Sequence, residues 1–208
     1  MEDKLIVVTG FGPFAGHELI NASWEAVRLL PSKLEFQDTT YTLEKKLVPV
    51  IYEEVDQIVD EIWQKDPELV IHVGVHGAAK RIHLEKLAYN NKFCRPDYTG
   101  KKLPSSSVCL DKNGVCCDRL HTKLDVDQIS KTINVLVAVD NACACSIDVG
   151  DYLCGYIYLK SLDRNCERCL FIHVPPVDKP FSSQQTSEVI FETIKQCLLQ
   201  LNEKKALT

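Results

Sequence analysis

Ten cysteines are spread over 208 residues, and one of them, Cys154, stands in a setting that the other nine lack. It follows Gly150-Asp151-Tyr152-Leu153, which places it in the first turn of a helix. Unpaired backbone N–H groups and the positive end of the helix dipole favour a thiolate there. The same N–H groups can bind a developing oxyanion. His173 comes one helix and one strand later, in Phe171-Ile172-His173-Val174, just before Pro175 and Pro176. If that strand runs parallel to its neighbours, the imidazole lies at the carboxyl edge of a sheet, where α/β sites form. A thiol and an imidazole so placed make a plausible nucleophile and general base. The third member stays open, because Glu85, His72 and His76 all surround the third strand and pattern alone does not choose among them.

Two other constellations invite chemistry and fit it worse. The first strand runs into TGFGPFAG, Thr9 to Gly16, which superficially suggests a dinucleotide loop. Such a loop needs a small residue where the backbone meets pyrophosphate and a helix that starts at once. Here Pro13, Phe14 and a further spacer intervene. Two phenylalanines in a turn at a strand's carboxyl end suit a flat apolar ligand, or simply cap the core. Cys143-x-Cys145, Cys166-x2-Cys169 and the adjacent Cys116 and Cys117 invite zinc. A structural zinc site takes two separated pairs on knuckle-like turns, and the lone CxxC pair has no match.

The elements that must position these residues follow from hydrophobic period. Leu5 to Thr9 is a buried strand, Ala22 to Leu30 a helix ending before Pro31, and Thr39 to Val48 a second strand. Tyr52 to Gln64 carries Val55, Ile58, Val59 and Ile62 on one helical face, and Leu69 to Gly74 is the next strand. Ile82 to Tyr89 reads as extended. Residues 90 to 121, rich in Pro, Gly, Ser, Asn and Lys, read as a long irregular excursion. Beyond it come a helix near Asp125 to Ile133, a strand at Val135 to Asp140 and a helix beginning near Asp151. A strand at Leu170 to Val174 and an amphipathic helix from Ser182 to Leu201 close the chain. Strands alternating with helices predict an α/β fold: three α/β/α layers around an open, twisted, mostly parallel sheet with helices on both faces.

Composition bounds the rest. With 45% hydrophobic residues and 25% charged, the chain has material for one sizeable core, and no linker divides it, so residues 1 to 208 read as one domain. Twenty-four basic against 29 acidic residues give a net charge of −5 without a run of five like charges, which argues against a nucleic-acid surface. No apolar stretch approaches the roughly 18 residues of a membrane span. The opening MEDK lacks the basic and apolar regions of a secretory signal, and several cysteines sit inside apolar segments as small buried hydrophobes. A cytoplasmic location is the expectation.

Taken together, the motifs resemble the pyroglutamyl peptidase I family in its animal form. The likeness runs through VVTGFGPFAGHELINASWEAV at Val7 to Val27, VGVHGAAKRIHLEKLAYN at Val73 to Asn90, VGDYLCGYIYLKSL at Val149 to Leu162 and FIHVPPVDKPF at Phe171 to Phe181. The resemblance implies a cytosolic cysteine peptidase that removes N-terminal pyroglutamate from small peptides, with Cys154 as nucleophile, His173 as general base and Glu85 orienting the histidine. It implies that Phe11, Phe14 and Asn21 line the pyroglutamyl pocket and that Arg95, ten residues past Glu85, lies near the oxyanion. No metal or cofactor is needed. Where the family's bacterial members carry a glutamine, this chain has Val75-His76-Gly77. Two departures flank the nucleophile: Val149 replaces the usual alanine, and Gly155 the usual asparagine or aspartate. Valine would add two methyl groups near the pocket, and Gly155 would cost about 1 kcal/mol of helix propensity relative to alanine. Reduced activity or a shifted substrate range is the expectation from these two, and a catalytically weakened homologue that binds blocked peptide termini is the alternative reading.

Overall fold

A computed structural model describes residues 3–13, 20–90, 93–105, 117–139 and 141–206. Phe14, Cys116 and part of the 90–121 excursion lie outside the described residues. Among the described residues nine strands and five helices are formed: β1 (Lys4–Phe11), α1 (Ala22–Arg28), β2 (Lys33–Phe36), β3 (Thr39–Val48), α2 (Tyr52–Gln64), β4 (Leu69–Val75), β5 (Ile82–Glu85), β6 (Leu87–Tyr89), β7 (Arg119–His121), α3 (Val126–Leu136), β8 (Cys143–Ser146), α4 (Leu153–Asn165), β9 (Cys169–Val174) and α5 (Ser183–Ala206).

Seven strands form one sheet in the order β2-β3-β1-β4-β9-β5-β8. The pairs β1–β3, β1–β4, β4–β9 and β5–β8 are parallel, while β2–β3 and β5–β9 are antiparallel. The central strands are buried along nearly their whole length, as strands covered on both faces must be. Ile6, Val8, Ile71, Val73, Leu170 and Ile172 point to one face and pack against α1, α3 and α5. Val7, Val70, Cys169 and Phe171 alternate to the other, where α2 and α4 cover them. The three-layer, mostly parallel α/β architecture expected from the alternation of elements is therefore the one observed.

Two expectations fail. Val135 to Asp140 is not a strand: α3 continues to Leu136, and Val135 and Leu136 are 83% and 55% exposed. The edge strand is instead β8, which carries Cys143 and Cys145 and is shorter and less apolar. The side chain of Asn134 settles the junction, donating from Nδ2 to the Cys143 carbonyl at 2.9 Å and accepting from the Cys143 N–H at 2.9 Å. Nor is the excursion irregular throughout. Its last residues return as β7 and pair antiparallel with β6. Nearer its start, buried Asp97 accepts from the backbone of Thr99 and Lys101 and from the N–H of Tyr52, the first residue of α2.

Candidate active site

His173 is the fifth residue of β9, a strand parallel to β4, so its ring is delivered to the carboxyl edge of the sheet. The antiparallel neighbour β5 brings Glu85 alongside, and His173 Nδ1 lies 2.8 Å from Glu85 Oε1. Both side chains are buried, Glu85 completely. Among the described residues the second carboxylate oxygen of Glu85 has no hydrogen-bond partner, so its side-chain hydrogen bonding is directed wholly at the imidazole. The Glu85 carbonyl is held from the other side by Tyr158 Oη at 2.8 Å. Of Glu85, His72 and His76, it is Glu85 that the structure brings within hydrogen-bond distance of His173.

Cys154 is the second residue of α4, as its sequence setting predicts, and its side chain interacts with His173. Burial opposes the charged imidazolium, but hydrogen bonding and charge from Cys154 and Glu85 outweigh it and push His173 up to about 9. Burial pushes the Cys143 thiol up to about 12 and raises the buried thiols Cys169 and Cys197 strongly.

The start of α4 differs from the other helix starts. Asn21 caps α1, Asp97 accepts from the first N–H of α2, Asp125 caps α3 and Ser182 accepts from Gln185 N–H in α5. Among the described residues no side chain caps α4. Its first N–H groups stay available beside Cys154.

Gly74, which the sequence reading passed over, makes room for the sulfur. A Cβ at this position would lie 2.8 Å from Cys154 Sγ and 2.7 Å from Phe171 Cζ. The signal was present as a lone glycine inside the strand Leu69–Val75, a mark of close approach.

A small, almost wholly apolar pocket opens beside Cys154, lined by Phe11, Asn21, Val50, Val75, Tyr152 and Leu153. Phe11 ends β1 and is 3% exposed. Asn21 accepts from Ser23 N at 3.0 Å and Ser23 Oγ at 2.8 Å, and donates to the Gly12 carbonyl at 2.9 Å. That leaves one amide N–H of Asn21 uncommitted among the described residues. Tyr152 was not anticipated. Its ring carries the Arg95 guanidinium 4.5 Å from its centroid, and Arg95 also pairs with Asp151 at 3.7 Å. Arg95 thus reaches the site through the pocket wall.

The sequence signature of the pyroglutamyl peptidases matches residues 4–196, almost the whole chain. The chain belongs to the pyroglutamyl peptidase family. It is 36% identical over 196 residues to pyroglutamyl-peptidase 1 of Rattus norvegicus, covering 94% of this chain and 90% of the relative, and equally so to that of Homo sapiens. The fold also superposes on pyroglutamyl peptidase I of Bacillus amyloliquefaciens with a TM-score of 0.79 at 21% identity, over 94% of this chain and 97% of that one. As a pyroglutamyl peptidase family member the chain is a cysteine-type peptidase.

The two flanking departures read differently in the structure. Val149 is 1% exposed and packs into the α2 and α4 side of the core, outside the pocket lining. Gly155 is demanded by the turn before α4, since a Cβ there would lie 2.3 Å from the Gly150 carbonyl oxygen. Gly150 itself has φ of +82°, a conformation that glycine adopts without strain. The propensity cost expected of Gly155 is offset by a close backbone approach that alanine would forbid. Of the other candidates, His72 is buried in the core away from the site, with Nδ1 2.8 Å from Thr9 Oγ1 and Nε2 2.7 Å from Ser161 Oγ. No helix among the described residues is long and apolar enough to cross a membrane.

Proposed function

We propose that this chain hydrolyses the peptide bond after an N-terminal pyroglutamyl residue, through a Cys154–His173–Glu85 triad and an acyl-enzyme. The observation that carries this reading is the 2.8 Å contact between His173 and buried Glu85, with Cys154 interacting with the same imidazole and a largely apolar pocket beside the sulfur.

Pyroglutamate presents a neutral lactam where other N-termini present an ammonium. An enzyme that grips a charged amine has nothing to hold, so the ring must be enclosed by apolar surface while its few polar atoms are satisfied. Phe11, Val50, Val75 and Tyr152 supply the surface, and the remaining N–H of Asn21 is a donor for the lactam carbonyl. With the ring seated, Cys154 thiolate attacks the scissile carbonyl carbon. The uncapped N–H groups at the start of α4 hold the oxyanion as it forms. His173, already protonated at neutral pH, gives its proton to the leaving amine as the C–N bond breaks. The neutral imidazole then takes a proton from water, which attacks the thioester and releases pyroglutamate. Glu85 holds the imidazole in one orientation and stabilises its charged form throughout. The substrates are small peptides with blocked, pyroglutamyl N-termini, and no step calls for a metal or cofactor.

The test compares kcat/KM for matched pyroglutamyl and prolyl coumarin amides. The prolyl amide lacks the lactam carbonyl and brings a charged amine into an apolar pocket, so it should be poorer by about 10³-fold or more. Equal values would sink the proposed recognition.

A further inference from the structure

Along the edge formed by the carboxyl ends of β3, β1, β4 and β9, the sheet continues with the amino ends of β5 and β8. The acyl pocket lies over the first three, since Phe11 ends β1, Val50 follows β3 and Val75 ends β4. Cys154 stands over Gly74 of β4, and His173 follows on β9. Continuing in the same direction, the sheet presents two more imidazoles that the triad does not use. His83 of β5 is directly opposite His173 in the antiparallel ladder and shares its face. His76, in the turn after β4, sets its ring edge-on to His173 at 5.6 Å between centroids and 6.0 Å from His83.

The same turn carries Lys80 and Arg81, both exposed and neither with an ion-pair partner among the described residues. Burial is the main cause that disfavours charge on His83; Glu85 opposes it, and His76, His173 and Arg81 add smaller contributions in the same direction as burial. Glu85 is buried against His173 and offers the exposed cations no counter-charge. Among the described residues no group here forms a cluster able to hold a metal ion. Lys80 and Arg81 thus gather two like charges on one rim with no ion-pair partner among the described residues, which raises the local concentration of anions.

A bond cut at Cys154 with its acyl half over β1 and β4 sends its leaving amine to His173. The residue beyond that amine then passes over β5. We infer that His76, Lys80, Arg81 and His83 form a leaving-group subsite that selects pyroglutamyl peptides whose second residue carries a carboxylate. This inference rests on the pyroglutamyl-hydrolase reading above and adds a substrate class to it.

Three amide-capped dipeptides test it: pyroglutamyl-glutamate, its isosteric glutamine counterpart and pyroglutamyl-lysine, with the neutral coumarin amide as reference. In the wild type kcat/KM for the glutamate peptide should exceed that for glutamine about fivefold, the size of one or two exposed charge pairs, with lysine lowest. Raising the ionic strength should shrink the gap, which a merely structural role would not produce. The glutamate-to-glutamine ratio should approach one in the Lys80→Ser, Arg81→Ser double variant and fall part of the way in His76→Ser. Equal rates for glutamate and glutamine in the wild type, or a ratio that survives these substitutions, would overturn the subsite while coumarin-amide hydrolysis left the reaction standing. Failure to cleave even the coumarin amide would overturn both.

Discussion

Two histidines on adjacent strands of the sheet, His72 on β4 and His173 on β9, have opposite fates. Both are buried, at 0% and 4% exposure, and both hold two side-chain partners. His72 meets the hydroxyls of Thr9 and Ser161, and Trp63 Nε1 completes that cluster by donating to Ser161 Oγ at 3.2 Å. Neutral partners do nothing to repay the desolvation of a cation, and burial pushes His72 down to about 3. His173 suffers the same burial and is pushed up to about 9, because its partners are a carboxylate and a thiol. Burial alone therefore does not decide whether an imidazole is structural or chemical. The ionisability of its neighbours does.

The largest way to sharpen this contrast is to delete the ionisable partners. Cys154→Ala should lower hydrolysis of a pyroglutamyl amide by at least about 10⁴-fold, and His173→Ala by a comparable factor, with Glu85→Gln less severe because it only fixes and stabilises the imidazole. Cys143→Ala, beneath α3, should keep most activity. Full turnover in Cys154→Ala would end the argument for the triad.

Next comes Gly74→Ala, which leaves every reacting group in place and pushes a methyl against the sulfur. A displacement of this order costs about 10²-fold in kcat/KM. Alkylation of Cys154 should slow in parallel, and unaltered alkylation and turnover would show that the nucleophile does not depend on that gap. Gly155→Ala, which meets a backbone carbonyl rather than a side chain, should lower stability by about 1 to 3 kcal/mol in denaturant titration. Wild-type stability would mean that the turn at Gly150 relaxes freely.

His72→Gln should do the reverse of the triad variants, costing about 1 to 3 kcal/mol of stability through disturbed hydrogen bonds while activity per folded molecule persists. The pH dependence of stability separates the two histidines once more. Between about 6.5 and 3 the unfolded chain binds a proton that folded His72 refuses, so stability falls as pH drops, by up to about 1.4 kcal/mol per unit. For His173 the folded state holds a proton that the unfolded chain has released. Its contribution is whole below about 6.5 and is lost as pH rises towards 9. Denaturant titrations across this range should show the acid limb flattened in His72→Gln and the alkaline limb flattened in His173→Ala.

Much of this was legible along the chain. The buried parallel strands announce themselves as unbroken apolar runs, and Thr39–Val48 and Tyr52–Gln64 fall where periodicity puts them. Cys154 was separated from nine other cysteines by its place at a helix start, and His173 by the prolines that end its strand. The errors share one cause. Val135 and Leu136 are apolar yet exposed, so composition suggested a strand where α3 simply runs on. Gly74 and Gly155 matter because of Cys154 Sγ and the Gly150 carbonyl, atoms supplied by other segments. Asn21 could be read as pocket-lining only by resemblance, because its main bonds close the turn at Gly12 and cap α1. Local pattern reports what a residue is and not what will be pressed against it.

Asn134 has a further consequence for how this molecule behaves in a crowded solution. β8 ends the sheet on one side, and an open strand end of this kind invites another chain to hydrogen-bond alongside. By accepting from the N–H of Cys143 and donating to its carbonyl, the Asn134 amide imitates one residue of a neighbouring strand and occupies that docking position from within. A second chain is thereby discouraged from laying its backbone along this edge.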